Sequence, residues 1–248
     1  MSKNPLNITA EMIEQNAPEL LELYANKFPA SREGFYASLY RTLDIISNDA
    51  YRQRNYKIRH CEEELADYFS DKLDRYMFYA EREGDRTGHV DIIVRSTISG
   101  QKVEWYGECK ILSETGSNWD LHQGYLQLTT RYSFGSYPEH GLIVFNKKNN
   151  NLKRVNDWWI YLRNKASLQV KNDCFISEQA FFTDCIDNST GRTINIRHFF
   201  VPLHYNPQDK SGVKTGSVNI QTALRSMKAN TKPQKNQGKK SRQKKGKV

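Results

Sequence analysis

Two stretches near the start of the chain, AEMIEQNAPELLELYANKF and EGFYASLYRTLDIIS, carry apolar residues at three- and four-residue spacing, with Pro29, Ala30 and Ser31 between them. That period predicts helices across the first 50 residues. A further helix is predicted from about Tyr56 to Leu73. From Tyr76 the pattern shortens: YMFYAERE, HVDIIVRST and KVEWYGECKIL, joined by the polar connections GDRTG and ISGQ, read as three strands. In WDLHQGYLQLTTRY, Leu121, Tyr125, Leu128 and Tyr132 fall on one helical stripe. GLIVFN, introduced by Pro138 and Gly141, has the nearly all-apolar character of a buried central strand. Residues 152–169 look helical, and CFISEQAFFTDCI and TINIRHFFVPLHY supply further strands.

Helix, three strands, helix, strand is an order that predicts an α/β layer architecture with a mixed sheet. The organisation expected is an N-terminal helical region (1–55), a core (56–146), a C-terminal α/β extension packed on the core (147–225) and a tail (226–248). At 248 residues the chain can bury one sizeable core. Trp158 and Trp159 are adjacent, so one narrow helical stripe cannot bury both equally, and one is a candidate for a partner or domain contact.

Charge changes the picture only at the end of the chain. The formal net charge is +9, and residues 226–248 contain nine lysines and arginines and no acid, which leaves residues 1–225 formally neutral. With mostly Asn, Gln, Ser, Gly and a Pro among its other members, the tail has too little apolar area to offset its ordering entropy and is expected to be disordered. Such a segment tethers to nucleic acid by counterion release; a solubilising terminus or a docking tail for an acidic partner is the alternative. No apolar run approaches the length of a membrane span and the N-terminus does not read as a signal peptide, so a cytoplasmic protein without a membrane partner is expected.

Cys61, Cys109, Cys174 and Cys185 are widely spaced with no CxxC pair, which argues against structural zinc and for reduced, mostly packed thiols. His198 and His204, six apart, fit core or surface histidines better than a metal site. The chemistry is expected elsewhere. In HVDIIV, alternation sets Val90, Ile92 and Val94 against His89, Asp91 and Ile93, which puts a carboxylate in the middle of an apolar strand where it needs a partner or a cation. In KVEWYGECKIL the same alternation points Glu108 and Lys110 to one side near the strand's end, within reach of Asp91 across a hairpin. Two carboxylates offer hard oxygens to Mg²⁺, and a lysine beside them can orient or help deprotonate a water and offset charge on a phosphate. A surface strand with alternating Glu and Lys is the ordinary alternative.

At Asp91 and Glu108-Cys109-Lys110 the sequence resembles the PD-(D/E)XK nuclease superfamily, whose fold is restriction-endonuclease-like, with a helix, three strands, a helix and a strand as its core. The resemblance spans about residues 56–146; the proline of the family name is absent, with Val90 standing before Asp91. It implies that Asp91 and Glu108 are metal ligands, that the Cys109 carbonyl completes the shell, and that Lys110 is the catalytic lysine. The metal would be Mg²⁺, with Mn²⁺ as a substitute. A glutamate is often found in the preceding helix of this family, and HCEEELADYF offers three. A wheel on Ile58, Cys61, Leu65 and Phe69 sets Glu62 between Phe69 and Leu73, Glu64 at the stripe's edge and Glu63 outward, which makes Glu62 the candidate. In the following helix the family often carries glutamines, and Gln123 and Gln127 lie off the apolar stripe; Gln127 is the candidate. The activity implied is hydrolysis of phosphodiester bonds in DNA, with RNA left open, by an endonuclease rather than an exonuclease. By analogy the setting would be a microbial restriction or phage-defence effector, with a protein partner for targeting and a homodimer as candidates. A catalytically silent nucleic-acid-binding or partner-docking protein that uses its tail is the rival.

The tail reading makes one expectation measurable. Deleting residues 226–248 should weaken nonspecific DNA binding and flatten its dependence on salt, because fewer phosphate contacts release fewer counterions. An unchanged salt slope would assign the tail to an acidic partner.

Overall fold

The structure is a computed structural model and describes residues 9–82, 90–132, 137–166, 169–171, 179–187 and 190–209. The expected tail and Cys174 lie outside the described residues. Residues up to Tyr205 form one compact unit; of the second unit, from Asn206 on, only 206–209 are described. Among the described residues no helix is long and apolar enough to cross a membrane.

Three helices, not two, precede the strands in the first 52 residues: α1 (Ala10–Asn16), α2 (Pro18–Lys27) and α3 (Arg32–Arg52). The division at Ala17 comes from Pro18, which cannot donate to an upstream carbonyl but suits the first position of a new helix. The helix expected from Tyr56 to Leu73 is likewise divided. A short α4 (Arg54–Lys57) ends in tight turns, Cys61 is extended, and α5 runs Glu62–Arg75. The Glu64 carboxylate accepts from the Cys61 N–H at 2.7 Å, and three successive acids fill the first turn, where the positive end of the helix dipole favours them. Glu62 therefore begins a helix, and its side chain is aimed from that end.

The strands are β1 (Tyr79–Glu81), β2 (Ile92–Ile98), β3 (Gln101–Leu112), β4 (Glu139–Asn146), β5 (Gln169–Lys171), β6 (Ala180–Ile186) and β7 (Thr193–Pro202). Between β3 and β4 lies α6 (Asn118–Gln127), continued by one π-helical turn (Leu128–Tyr132); α7 (Asn151–Ala166) follows β4. The seven strands form one mixed sheet in the order β1-β2-β3-β4-β7-β6-β5. β1, β2 and β3 are antiparallel neighbours, β3 is parallel to β4 and β4 to β7, and the remaining pairs are antiparallel. The chain is thus an α/β protein, and α5, β1, β2, β3, α6 and β4 come in the expected order. The region expected as an extension supplies β5, β6 and β7, which continue the same sheet.

Helices cover both faces. On one face α3 and α5 bury Leu39, Leu43, Leu65, Phe69 and Leu73 against Ile92, Val94, Trp105 and Phe145. On the other α6 and α7 bury Leu121, Tyr125, Leu128 and Trp158 against Ile93, Leu142, Val144 and Phe200. Trp158 is fully buried while Trp159 is partly covered, with the Arg163 guanidinium 4.7 Å from its ring. The two histidines are not neighbours in function. Trp158 Nε1 donates to His198 Nδ1 at 3.1 Å, so the other ring nitrogen, 2.9 Å from Thr183 Oγ1, carries the proton. Burial pushes His198 down to about 3 and keeps it neutral, and His204 meets the Lys147 carbonyl. Cys109 and Cys185 are buried free thiols and Cys61 is exposed.

A buried indole depends on two glycines facing each other across β3 and β4. Gly107 is paired with Gly141, and a β-carbon at Gly141 would lie 2.2 Å from Trp105 Cζ2. Trp105 is fully buried and has no room to retreat. Gly141→Ala should therefore destabilise the protein by about 3 kcal/mol, seen as a lower denaturation midpoint; an unchanged midpoint would show that the indole is not held against these glycines.

Candidate active site

Pairing between β2 and β3 begins at Ile92 opposite Gly107, yet β3 runs five residues further, to Leu112, paired only with β4. Beyond Gly107 one edge of β3 therefore lacks a strand, and its outward N–H groups need acceptors. Carboxylates fill the gap. Asp91 Oδ2 accepts from the Cys109 N–H at 2.7 Å, and Glu62 Oε2 accepts from the Ile111 N–H at 2.9 Å. Asp91 is thus not inside the apolar strand. It lies at a bend just before β2, and alternation breaks there: Val90 shares the α6–α7 face with Ile93, whereas Ile92 and Val94 face α3 and α5. The expectation of a carboxylate in mid-strand is corrected accordingly. The bend frees the Asp91 side chain to turn toward β3.

Glu108 and Lys110 project to one side of β3, as the alternation predicts. Lys110 Nζ donates to Glu108 Oε1 at 2.6 Å, to the Cys109 carbonyl at 2.9 Å and to Glu62 Oε1 at 3.1 Å. Glu62, Asp91, Glu108, Cys109 and Lys110 are therefore brought together by α5, the bend before β2 and the end of β3. Glu64 is spent on the helix cap, and Glu63 is exposed. Gln127 is further out: its amide donates to the Tyr132 hydroxyl at 3.5 Å, and this buried tyrosine is raised by burial first and then by Glu108. Gln123 is half-buried, off the apolar stripe. The π-helical turn carries Tyr132 onto the buried face five residues after Gln127, and no periodicity in the sequence announces it.

Gly124, not among the residues expected at the site, packs against Lys110 from α6. A β-carbon there would lie 2.9 Å from Lys110 Cγ, 3.1 Å from Lys110 Cε and 3.1 Å from Leu142 Cδ1. A glycine within a helix is unfavourable by roughly 1 kcal/mol relative to alanine, and here it lets α6 close directly over the lysine stem. The signal that could have found it was an interior glycine on the face of α6 turned toward the sheet.

Electrostatics follow from burial. Glu108 is 1% exposed, and burial pushes its carboxyl up to about 7 despite the opposing pull of Lys110. Asp91 is raised for the same reason, with the Cys109 N–H and Lys110 restraining the shift. Lys110 is raised, because Glu108 and Glu62 together outweigh its own desolvation, and is held as an ammonium. Burial raises the Cys109 thiol well above its ordinary range, so that residue offers its carbonyl rather than its sulfur.

One oxygen stands out as a donor to a cation: Glu108 Oε2 is buried without a hydrogen-bond partner while Oε1 holds Lys110. An unmatched, hard carboxylate oxygen beside a second carboxylate suits Mg²⁺ or Mn²⁺. Among the described residues no three His, Cys, Asp or Glu side chains are grouped to hold a metal ion, so the protein's donors would be the Asp91 and Glu108 carboxylates with the Cys109 carbonyl.

The raised Glu108 carboxyl has a sign that can be checked in the metal-free protein. Its folded value of about 7 exceeds the ordinary 4.5, so its contribution to stability is full below about 4.5 and is lost as pH rises through 7. Glu108→Gln also removes a partner from Lys110, so the readout is the difference between variant and parent, which should shift in the variant's favour as pH rises from 5 to 8. A stability difference that does not change between pH 5 and 8 would contradict this account of the site.

No protein-family model matches the chain, and no curated protein or solved structure matches it. The functional reading therefore rests on the geometry of this cluster.

Proposed function

We propose that the chain is a magnesium-dependent nuclease of the PD-(D/E)XK type, with a restriction-endonuclease-like core, that hydrolyses phosphodiester bonds of DNA. The observation that carries the reading is the state of Glu108: a buried carboxylate with one oxygen bound to Lys110 and the other unmatched, next to Asp91 at the open end of β3. A structural salt bridge would be expected to match both oxygens, since an unsatisfied buried acceptor costs about 1–3 kcal/mol. The order α5, β1, β2, β3, α6, β4 supports the same reading.

In this proposal Asp91, Glu108 and the Cys109 carbonyl hold the metal. When bound, Mg²⁺ supplies Lewis-acid polarisation of the phosphate and a more acidic water. Lys110, held as an ammonium, would release the Cys109 carbonyl to the metal and turn the freed N–H to the attacking water or to a phosphate oxygen, offsetting the charge that develops there. A protonated lysine cannot itself remove the water's proton, which narrows its role to positioning and charge. Glu62 positions Lys110 from one side, and Gly124 leaves the space that the lysine stem occupies.

The test is incubation with supercoiled, linear and single-stranded DNA and with RNA, with and without Mg²⁺ or Mn²⁺. DNA cutting should require the metal and be abolished by Lys110→Ala and Asp91→Ala with the fold intact. Gly124→Ala should lower the turnover number more than it changes KM. Unchanged cutting by either alanine variant at Lys110 or Asp91 would overturn the site; absence of cutting on every substrate would favour a silent binding protein.

A further inference from the structure

Three of the four tryptophans have packing partners: Trp105 and Trp158 are fully buried, and Trp159 lies against the α6–α7 core under Arg163. Trp119 does not. It is 61% exposed near the start of α6, with no aromatic or cation–π partner among the described residues. A single exposed apolar residue is ordinary, so its surroundings decide what it means.

Trp119, Gln123 and Gln127 stand at i, i+4 and i+8, which makes them one ridge along α6. The ridge starts at an exposed indole, passes two partly covered amides and ends at Tyr132, beside Glu108. Trp119 is five residues before Gly124, the residue packed on Lys110, which is ~7.5 Å along the helix axis at 1.5 Å per residue.

Positive charge lies where the ridge begins. Lys148 Nζ donates to the Gly116 carbonyl at 2.7 Å, in the loop leading into α6. That acceptor is uncharged. Lys148 makes no ion pair among the described residues, so its charge remains available to phosphate. An aromatic face with a flanking cation is the arrangement that holds an unpaired strand, because every base has a face to stack and the backbone follows the charge. A duplex keeps its bases stacked on one another and has no use for the indole.

We propose that the Trp119–Gln123–Gln127 ridge, with Lys148 at its entrance, is the track for an unpaired nucleic-acid strand, on which the Trp119 indole stacks against a base that flanks the reacting phosphate. The proposal rests on the nuclease reading for its direction, since the track leads to Glu108 and Lys110.

The full chain is titrated with oligodeoxythymidylate in EDTA, so that the strand stays intact, and intrinsic tryptophan emission and binding are followed together. The exposed indole should be quenched by the oligonucleotide and not by an abasic oligomer of equal length and charge, and the quench should vanish in Trp119→Phe. Trp119→Ala should weaken single-strand binding by about tenfold while duplex binding stays as in the parent. Equal quenching by the abasic oligomer, a quench that persists in Trp119→Phe, equal loss of single-strand and duplex binding, or no single-strand binding would each overturn the track. The two proposals separate cleanly. Metal-dependent cutting with a silent indole leaves the nuclease and removes the track, whereas base-dependent quenching without cutting leaves the track and removes the nuclease.

Discussion

The architecture of the site follows from an unfinished pairing. β3 outruns β2 by five residues, and a strand edge buried near a helix cannot leave its N–H groups without acceptors. Cys109 and Ile111 obtain theirs from Asp91 and Glu62. Each carboxylate does what a missing strand would do, and in doing so stands beside the side chains that β3 presents, Glu108 and Lys110. The backbone requirement thus fixes the positions of acids that the proposed chemistry also needs. It explains why α5 must begin at Glu62 and why the chain must bend at Asp91 before β2 starts.

Around that edge the fold supplies burial and closeness. Helices on both faces remove Glu108 from water, which raises its carboxyl to about 7 and makes the protonated and ionised forms comparably populated near neutral pH. Lys110 is the only cation within bonding distance of Glu108 among the described residues, and it spends its three donors on Glu108, Glu62 and the Cys109 carbonyl. The Gly124 contact seals the lysine stem under α6. Three carboxylates, Glu62, Asp91 and Glu108, thus surround one ammonium, an excess of negative charge that a divalent cation would offset.

Much of this was legible in the sequence, and what was not had identifiable causes. Alternation along KVEWYGECKIL placed Glu108 and Lys110 together because β3 is long and regular. The order of elements could be read because each had a clean period. Asp91 was read as a mid-strand carboxylate because period-two reasoning cannot see where pairing stops; the break at Val90 comes from the bend, a tertiary feature. The wheel that selects Glu62 includes Ile58 and Cys61 and so requires one continuous helix, whereas α4 is capped at Ile58 and Cys61 is extended before α5 begins. The selection still coincides with the structure because Leu65, Phe69 and Leu73 set the same face. Pro18 and the three acids at Glu62–Glu64 are boundary signals that the sequence carries for the starts of α2 and α5. Gly124 and the π-helical turn could not be read from pattern alone, since both answer to what packs against α6.

The claim on which everything turns is that Asp91 and Glu108 receive a divalent cation. Crystals grown with Mn²⁺ and measured at the manganese absorption edge test it directly. The account predicts an anomalous peak in contact with both carboxylates; Mn²⁺-saturated crystals with no peak there, and with Lys110 still bridging Glu108 and Glu62, would contradict it.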